Sequence, residues 1–156
     1  DLINQDQIIQ KTLSSAKNIA MVGASSLKKE DKSNLIRKPS IIVMSYLKEF
    51  GYKVIPVNPF SLGKKINDED VVAKLEDIKI PIDLVNVFRP SKEAVSIAEQ
   101  AIKIGAKTLW LQYGVQNDKA KKMVEEKNIT YIANKCIKQE YQRLFLKVNP
   151  VFPVLK

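Results

Sequence analysis

Lys17-Asn18-Ile19-Ala20-Met21-Val22-Gly23-Ala24-Ser25-Ser26 is the stretch on which the fold turns. Four apolar residues, Ile19 to Val22, end abruptly at a glycine, the pattern of a buried strand feeding a tight turn. A dinucleotide fingerprint then needs two more glycines, for close approach to a pyrophosphate and for packing of a helix that starts at once. Here Ala24, Ser25 and Ser26 follow instead. A lone glycine after a strand reads equally as a phosphate cradle or as a plain reversal.

The segments that follow place the turn in a larger pattern. Short, largely apolar runs recur at Lys53 to Val57, Asp83 to Phe88 and Thr108 to Gln112, with a fifth at Ile129 to Ala133, as expected for parallel strands covered on both faces. Helical patterns lie between them. Pro39 can open a helix through Phe50, with Gly51 at the cap; Ser91 to Ile104 is followed by Gly105; Asn117 to Lys127 begins with Asp118 at its positive end. Asn4 to Ser15 predicts a helix outside this unit, and Lys135 to Val148 a final helix. Strand and helix in alternation predict an α/β fold, a Rossmann-like doubly wound sheet of about five mostly parallel strands in a single domain. That domain spans residues 1–156, with 1–16 as a helical extension and 149–156 as a tail containing Pro150 and Pro153. Two segments break the rhythm. Ser26 to Lys38 is a long polar connection, and Asn58 to Lys79 has room only for a short helix around Asp70 to Leu75.

Composition narrows the chemistry. With 156 residues, 45% hydrophobic and 28% charged, the chain can build a full core. It contains no histidine, which removes Ser-His and Cys-His catalysis, and its single cysteine, Cys136, excludes an internal disulfide or a multi-cysteine zinc site. No apolar run reaches the roughly 20 residues of a membrane span, and no signal core is evident, so a cytoplasmic location is expected. The sequence starts at Asp1 rather than Met, which leaves processing or a lost leader open. A net charge of +9 favours a polyanionic partner.

An NAD site usually carries Asp or Glu about 20 residues beyond the fingerprint, at the end of the second strand. Asn58 and Pro59 stand at that strand end, neutral and much further from Gly23. Lys28, Lys29, Lys32, Arg37 and Lys38 precede the first inner helix, and Lys64 and Lys65 follow the second strand. A neutral corner flanked by cations suggests a phosphorylated adenosine larger than NAD.

At this point the chain resembles the small single-domain CoA-binding proteins, related to the CoA-binding domain of the succinyl-CoA ligase alpha subunit. The matching segments run in order from Ile19–Ser25 through Lys38-Pro39-Ser40, Gly51–Pro59, Asp83–Arg89 and Trp110–Val115 to Cys136–Leu144. The resemblance implies coenzyme A or an acyl-CoA as cofactor. It places the pyrophosphate on Gly23, Ala24, Ser25 and Ser26, with Lys38, Pro39 and Ser40 starting the adjacent helix. Asn58 and Pro59 would border the adenosine, Phe88, Arg89 and Pro90 would line the cleft after the third strand, and Gln112, Gly114 and Val115 would lie near the pantetheine. The lysine-rich insertion between Ser26 and Lys38 is longer than the resemblance leads one to expect.

Each residue also has a simpler structural use. Arg89 can cap surface structure, Gln112 can enter an internal hydrogen-bond network, Trp110 suits the core, Glu140 and Arg143 are spaced as an i, i+3 ion pair, and Cys136, whose thiol near a CoA thiol could form a mixed disulfide, more commonly reads as a buried, inert cysteine. The expected function is non-catalytic binding of CoA or acyl-CoA through its nucleotide moiety. The alternatives are an accessory subunit of an acyl-CoA ligase-type enzyme and a nucleotide-sensing regulator. A small-molecule partner is expected, without membrane attachment, and a protein partner or homo-oligomer stays open. No helix-turn-helix segment or basic-aromatic row supports nucleic acid.

Overall fold

The computed structural model describes residues 2–25 and 39–147. Strands β1 (Asn18–Val22), β2 (Lys53–Val57), β5 (Leu84–Val87), β6 (Thr108–Leu111) and β7 (Thr130–Ile132) form one parallel sheet in the order β2-β1-β5-β6-β7. A two-stranded antiparallel hairpin, β3 (Lys65–Ile66) and β4 (Glu69–Asp70), stands apart from it. The chain leaves β1 in one direction to form β2 and returns on its other side to form β5. That reversal creates a crevice at the carboxyl ends of β1 and β5, where open α/β sheets take their ligands.

Helices α1 (Leu2–Ser15), α2 (Pro39–Glu49) and α5 (Ile137–Phe145) cover one face of the sheet, and α3 (Ala94–Lys103) and α4 (Asp118–Glu125) cover the other. Alternation along each strand divides the core accordingly. Ile19, Met21, Leu84, Trp110 and Ile132 pack with Val43, Met44 and Leu47 of α2, whereas Ala20, Val85, Val87, Leu109 and Leu111 pack with Ile97, Ala98 and Ala101 of α3 and Val124 of α4. Burial on both faces is why these strands read as continuous apolar runs in the sequence.

Helix α2 closes at Gly51, whose φ of 97° lets the amides of Gly51 and Tyr52 return to the carbonyls of Lys48 and Leu47 at 3.1 Å each. Trp110 is fully buried, as its sequence context predicts. The expected Glu140–Arg143 pair forms at 2.7 Å, and Arg143 also reaches Asp6 of α1 at 2.7 Å.

Three expectations need correction. The helix placed outside the unit, α1, instead buries Ile9 and Leu13 in the core, and the Tyr52 hydroxyl donates to the Leu13 carbonyl at 2.5 Å. The helix expected around Asp70 to Leu75 is absent. Asn67 and Asp68, at φ 51° and 67°, make a tight left-handed turn that pairs Lys65–Ile66 with Glu69–Asp70. Val72 then bridges Val57, so this segment lies along the edge strand β2, and a 3₁₀ turn at Leu75–Asp77 follows it. The final helix begins at Ile137, two residues later than expected, because Asn134 adopts a left-handed φ of 60° and Cys136 an extended one.

Candidate functional site

The turn after β1 is fastened on both sides. The Gly23 amide donates to the Val57 carbonyl at 2.9 Å, and the Phe88 amide donates to the Val22 carbonyl at 2.8 Å. Gly23 has φ +92°, and a Cβ there would lie 2.8 Å from Cδ of Arg89 and 3.1 Å from the Phe88 carbonyl carbon. Glycine is therefore required twice, by conformation and by the close passage of the Phe88-Arg89 backbone and side chain.

Beyond it, the backbone of the turn is held by polar side chains. Nδ2 of Asn58 donates to the Ala24 carbonyl at 2.8 Å, while its Oδ1 accepts from the Phe60 amide at 2.9 Å and caps the 3₁₀ turn Pro59–Ser61. The Ser25 amide donates to Oγ of Ser40 at 3.1 Å. The neutral residue at the end of β2 is explained by this arrangement: one amide group serves as donor and acceptor at once, which a carboxylate cannot do.

Two clefts flank the turn. The first, of about 410 Å³, lies between the loop after β2 and the start of α3 and is lined by Gly23, Asn58, Pro59, Phe60, Lys74, Arg89, Glu93 and Gln100 among others. The second, of about 750 Å³, is lined by Pro39, Phe88, Arg89, Pro90, Gln112, Tyr113, Val115, Cys136 and Gln139. Arg89 lines both. Its guanidinium makes two bonds to the Glu93 carboxylate, at 3.0 and 2.7 Å. Those bonds hold the Glu93 carboxyl below its ordinary range. The cation is only partly shielded, so a ligand oxyanion can reach it.

Gln112 stands in the wall of the second cleft. It is buried, and its Oε1 has no hydrogen-bond partner among the described residues, so no internal network there uses that oxygen. The loop that carries it is tied to the segment after β7: the Gly114 amide donates to Oδ1 of Asn134 at 2.7 Å, and the Asn134 amide donates to the Val115 carbonyl at 3.0 Å.

Of the residues expected at the site, Gly23, Asn58, Pro59 and Arg89 line the first cleft, and Pro39, Phe88, Arg89, Pro90, Gln112 and Val115 line the second. Ala24, Ser25 and Ser40 instead support the turn from within, and Gly114 shapes its loop without lining either cleft. Lys65 pairs with Asp70 at 3.4 Å, away from both clefts. Ser26 and Lys38, with Lys28, Lys29, Lys32 and Arg37, lie outside the described residues. Glu93 and Phe60 escape the sequence reading. The i, i+4 spacing of Arg89 and Glu93 is a signal that could have found the first. The 86% exposure of Phe60 beside the first cleft has no counterpart in the sequence. Among the described residues no group of three or more His, Cys, Asp or Glu side chains is placed to hold a metal ion. No helix among them is long and apolar enough to cross a membrane.

A parallel sheet with its reversal at β1 and β5, a glycine turn in that crevice and clefts on either side define a Rossmann-like α/β domain. The chain belongs to the CoA binding domain family, whose pattern matches residues 17–142. It is 37% identical over 133 residues to the uncharacterized protein YneT of Bacillus subtilis, across 83% of this chain and 89% of YneT. Among solved structures it is similar to cell-free ID.343 from Thermus thermophilus, with TM-score 0.80 and 36% identity over 90% of this chain and 98% of that one. A hypothetical protein from Pyrococcus horikoshii OT3 gives TM-score 0.79 and 36% identity over 89% and 91% of the two chains.

Proposed function

We propose that the protein binds coenzyme A or acyl-CoA through its nucleotide moiety without catalysing a reaction of it. The observation that carries this reading is the pair of clefts joined at Arg89 beside the Gly23 turn. A bent ligand with an anionic middle and two dissimilar arms matches that shape. Adenosine belongs in the first cleft, against Pro59 and Phe60; the pyrophosphate belongs at Gly23 and Arg89; the pantetheine arm belongs in the second cleft. Three features suit the group: a backbone approach that a Cβ would fill, a guanidinium within reach of both arms, and a buried, unpartnered Gln112 carbonyl oxygen that an amide N–H of the arm can satisfy.

Binding alone is the simplest role because the chain lacks histidine and, outside the thiol of Cys136, the clefts are lined by positioning groups rather than a nucleophile with its base. Isothermal titration with CoA, NAD and ATP tests the proposal. Saturable binding of CoA at micromolar concentrations, with NAD and ATP at least about tenfold weaker, is the expected result, a gap of about 1.4 kcal/mol. No saturable CoA binding would overturn it.

A further inference from the structure

The single cysteine of the chain lies in the wall of the second cleft. It is partly exposed and free, and although it is the N-cap residue of α5 its side chain makes no capping bond. The sulfur is thus uncommitted. Its position is nevertheless well fixed. Nε1 of the buried Trp110 donates to the Lys135 carbonyl at 2.8 Å, immediately before the cysteine, and the Glu140 amide donates to the Cys136 carbonyl at 3.0 Å, immediately after it. The two Asn134 bonds to the Gly114-Val115 loop tie the segment carrying the thiol to the loop carrying Gln112.

Gln112, in the wall of the same cleft, is a second observation that points to a ligand. The residue is 9% exposed, and its buried Oε1 accepts no hydrogen bond from any described residue. Leaving such an acceptor unsatisfied costs about 1–3 kcal/mol, a cost relieved by a ligand that brings an N–H donor into the cleft. Apolar walls at Phe88, Pro90 and Val115 suit a slender arm with amide groups along it.

We infer that the second cleft is a thiol–disulfide exchange site, in which Cys136 captures the pantetheine sulfur of a CoA disulfide. This rests on the CoA-binding reading above and extends it to a covalent, reversible state of the same site. Cys136 gives up its thiol proton to solvent, and the resulting thiolate attacks one sulfur of the CoA disulfide. The bond between the two CoA sulfurs breaks as the Cys136–CoA disulfide forms. The second CoA leaves as a thiolate and takes up a proton. One disulfide is consumed and one is made, so no further oxidant or reductant is needed. Gln112 is a positioning residue, holding the arm by its amide so that the sulfur arrives at the cysteine.

Intact-mass spectrometry of the wild-type chain treated with CoA disulfide or with bis(2-hydroxyethyl) disulfide at equal concentration tests this. Labelling by CoA disulfide should be at least about tenfold faster, because binding holds the disulfide beside the thiol. Adenosine 3′,5′-bisphosphate, which competes for the nucleotide arm, should slow it. Gln112→Ala should reduce the preference, read as the ratio of the CoA-disulfide rate to the small-disulfide rate in the same variant, and Cys136→Ser should give no adduct. An absent adduct, equal rates with the two disulfides, or indifference to the competitor would overturn the inference. Titration of Cys136→Ser with reduced CoA separates the two levels. Binding by that variant without selective labelling of the wild type removes only the exchange site; no heat with either protein removes the binding reading as well.

Discussion

Gly23 is the residue at which the site is most sensitive to a single atom. A methyl group there meets Cδ of Arg89 at 2.8 Å, and the backbone must keep φ +92°. Gly23→Ala should destabilise the fold by about 1–3 kcal/mol, seen as a lower urea midpoint, and should weaken CoA binding further by displacing Arg89. A variant with an unchanged midpoint and unchanged CoA titration would contradict this account. The importance of Gly23 is legible in the sequence, because a glycine that ends a buried apolar strand marks a sharp change of backbone direction. The roles of Ser25 and Ser40 are legible only in part. The resemblance sets Ser25 at a phosphate and Ser40 at the start of the adjacent helix, yet the Ser40 hydroxyl accepts from the Ser25 amide, a contact across 15 residues that no local pattern announces. Asn58 shows the same limit: its position beside the first cleft follows from the end of β2, whereas its hold on the Ala24 carbonyl depends on the register of β1 against β2.

Among the elements, α5 depends on a strand far from it in sequence. Trp110 of β6 fixes the Lys135 carbonyl just ahead of the helix, so the indole N–H sets where the chain turns toward Ile137. Trp110→Phe removes that donor and leaves a void, and should cost about 1–3 kcal/mol in denaturant unfolding. It should also blunt the exchange preference of Cys136, measured by mass, because the cysteine follows the carbonyl that loses its anchor. The elements that sequence periodicity reveals are the five strands and helices α2 to α4, whose apolar residues face the core at regular spacing. The β3-β4 hairpin escapes because its strands are two residues each, too short for any period, and its turn uses Asn67-Asp68 rather than a glycine. Helix α1 is readable as a helix but not in its place, since its contact with Tyr52 and Arg143 is a matter of tertiary packing alone.

For the whole molecule, the end of the sheet opposite the clefts carries its own pH-sensitive fastening. Oδ2 of Asp83 accepts from the amides of Lys17 and Asn18 at 2.9 Å each, joining the entrances of β1 and β5. Burial opposes ionisation of this carboxyl, but the backbone hydrogen bonds from Asn18 and Lys17, with the charges of Lys107 and Lys17, outweigh it and hold the group below the ordinary aspartate range. A lowered folded-state value means that its stabilising share is complete above the unfolded value, about 4, and is lost as the pH falls through the lower folded one. Asp83→Asn should therefore be less stable than the parent at neutral pH, and the difference should shrink in thermal melts recorded below about pH 4. A difference independent of pH would show that the carboxylate charge is not what matters.

The Arg89–Glu93 pair has one further consequence. The guanidinium that would meet a pyrophosphate already holds an anion of its own, so an incoming ligand enters an exchange rather than an empty seat. If Arg89 meets a pyrophosphate, Glu93 would set a threshold: a weakly charged metabolite would gain little by displacing it, whereas a diphosphate, with more negative charge to offer, could share or take the fork. Glu93→Gln should raise anion affinity by up to about fivefold, the most that a partly exposed ion pair of under about 1 kcal/mol allows, with singly charged nucleotides gaining more than CoA in parallel titrations. Selectivity at this site would then come less from what attracts coenzyme A than from a resident rival that lesser anions fail to dislodge.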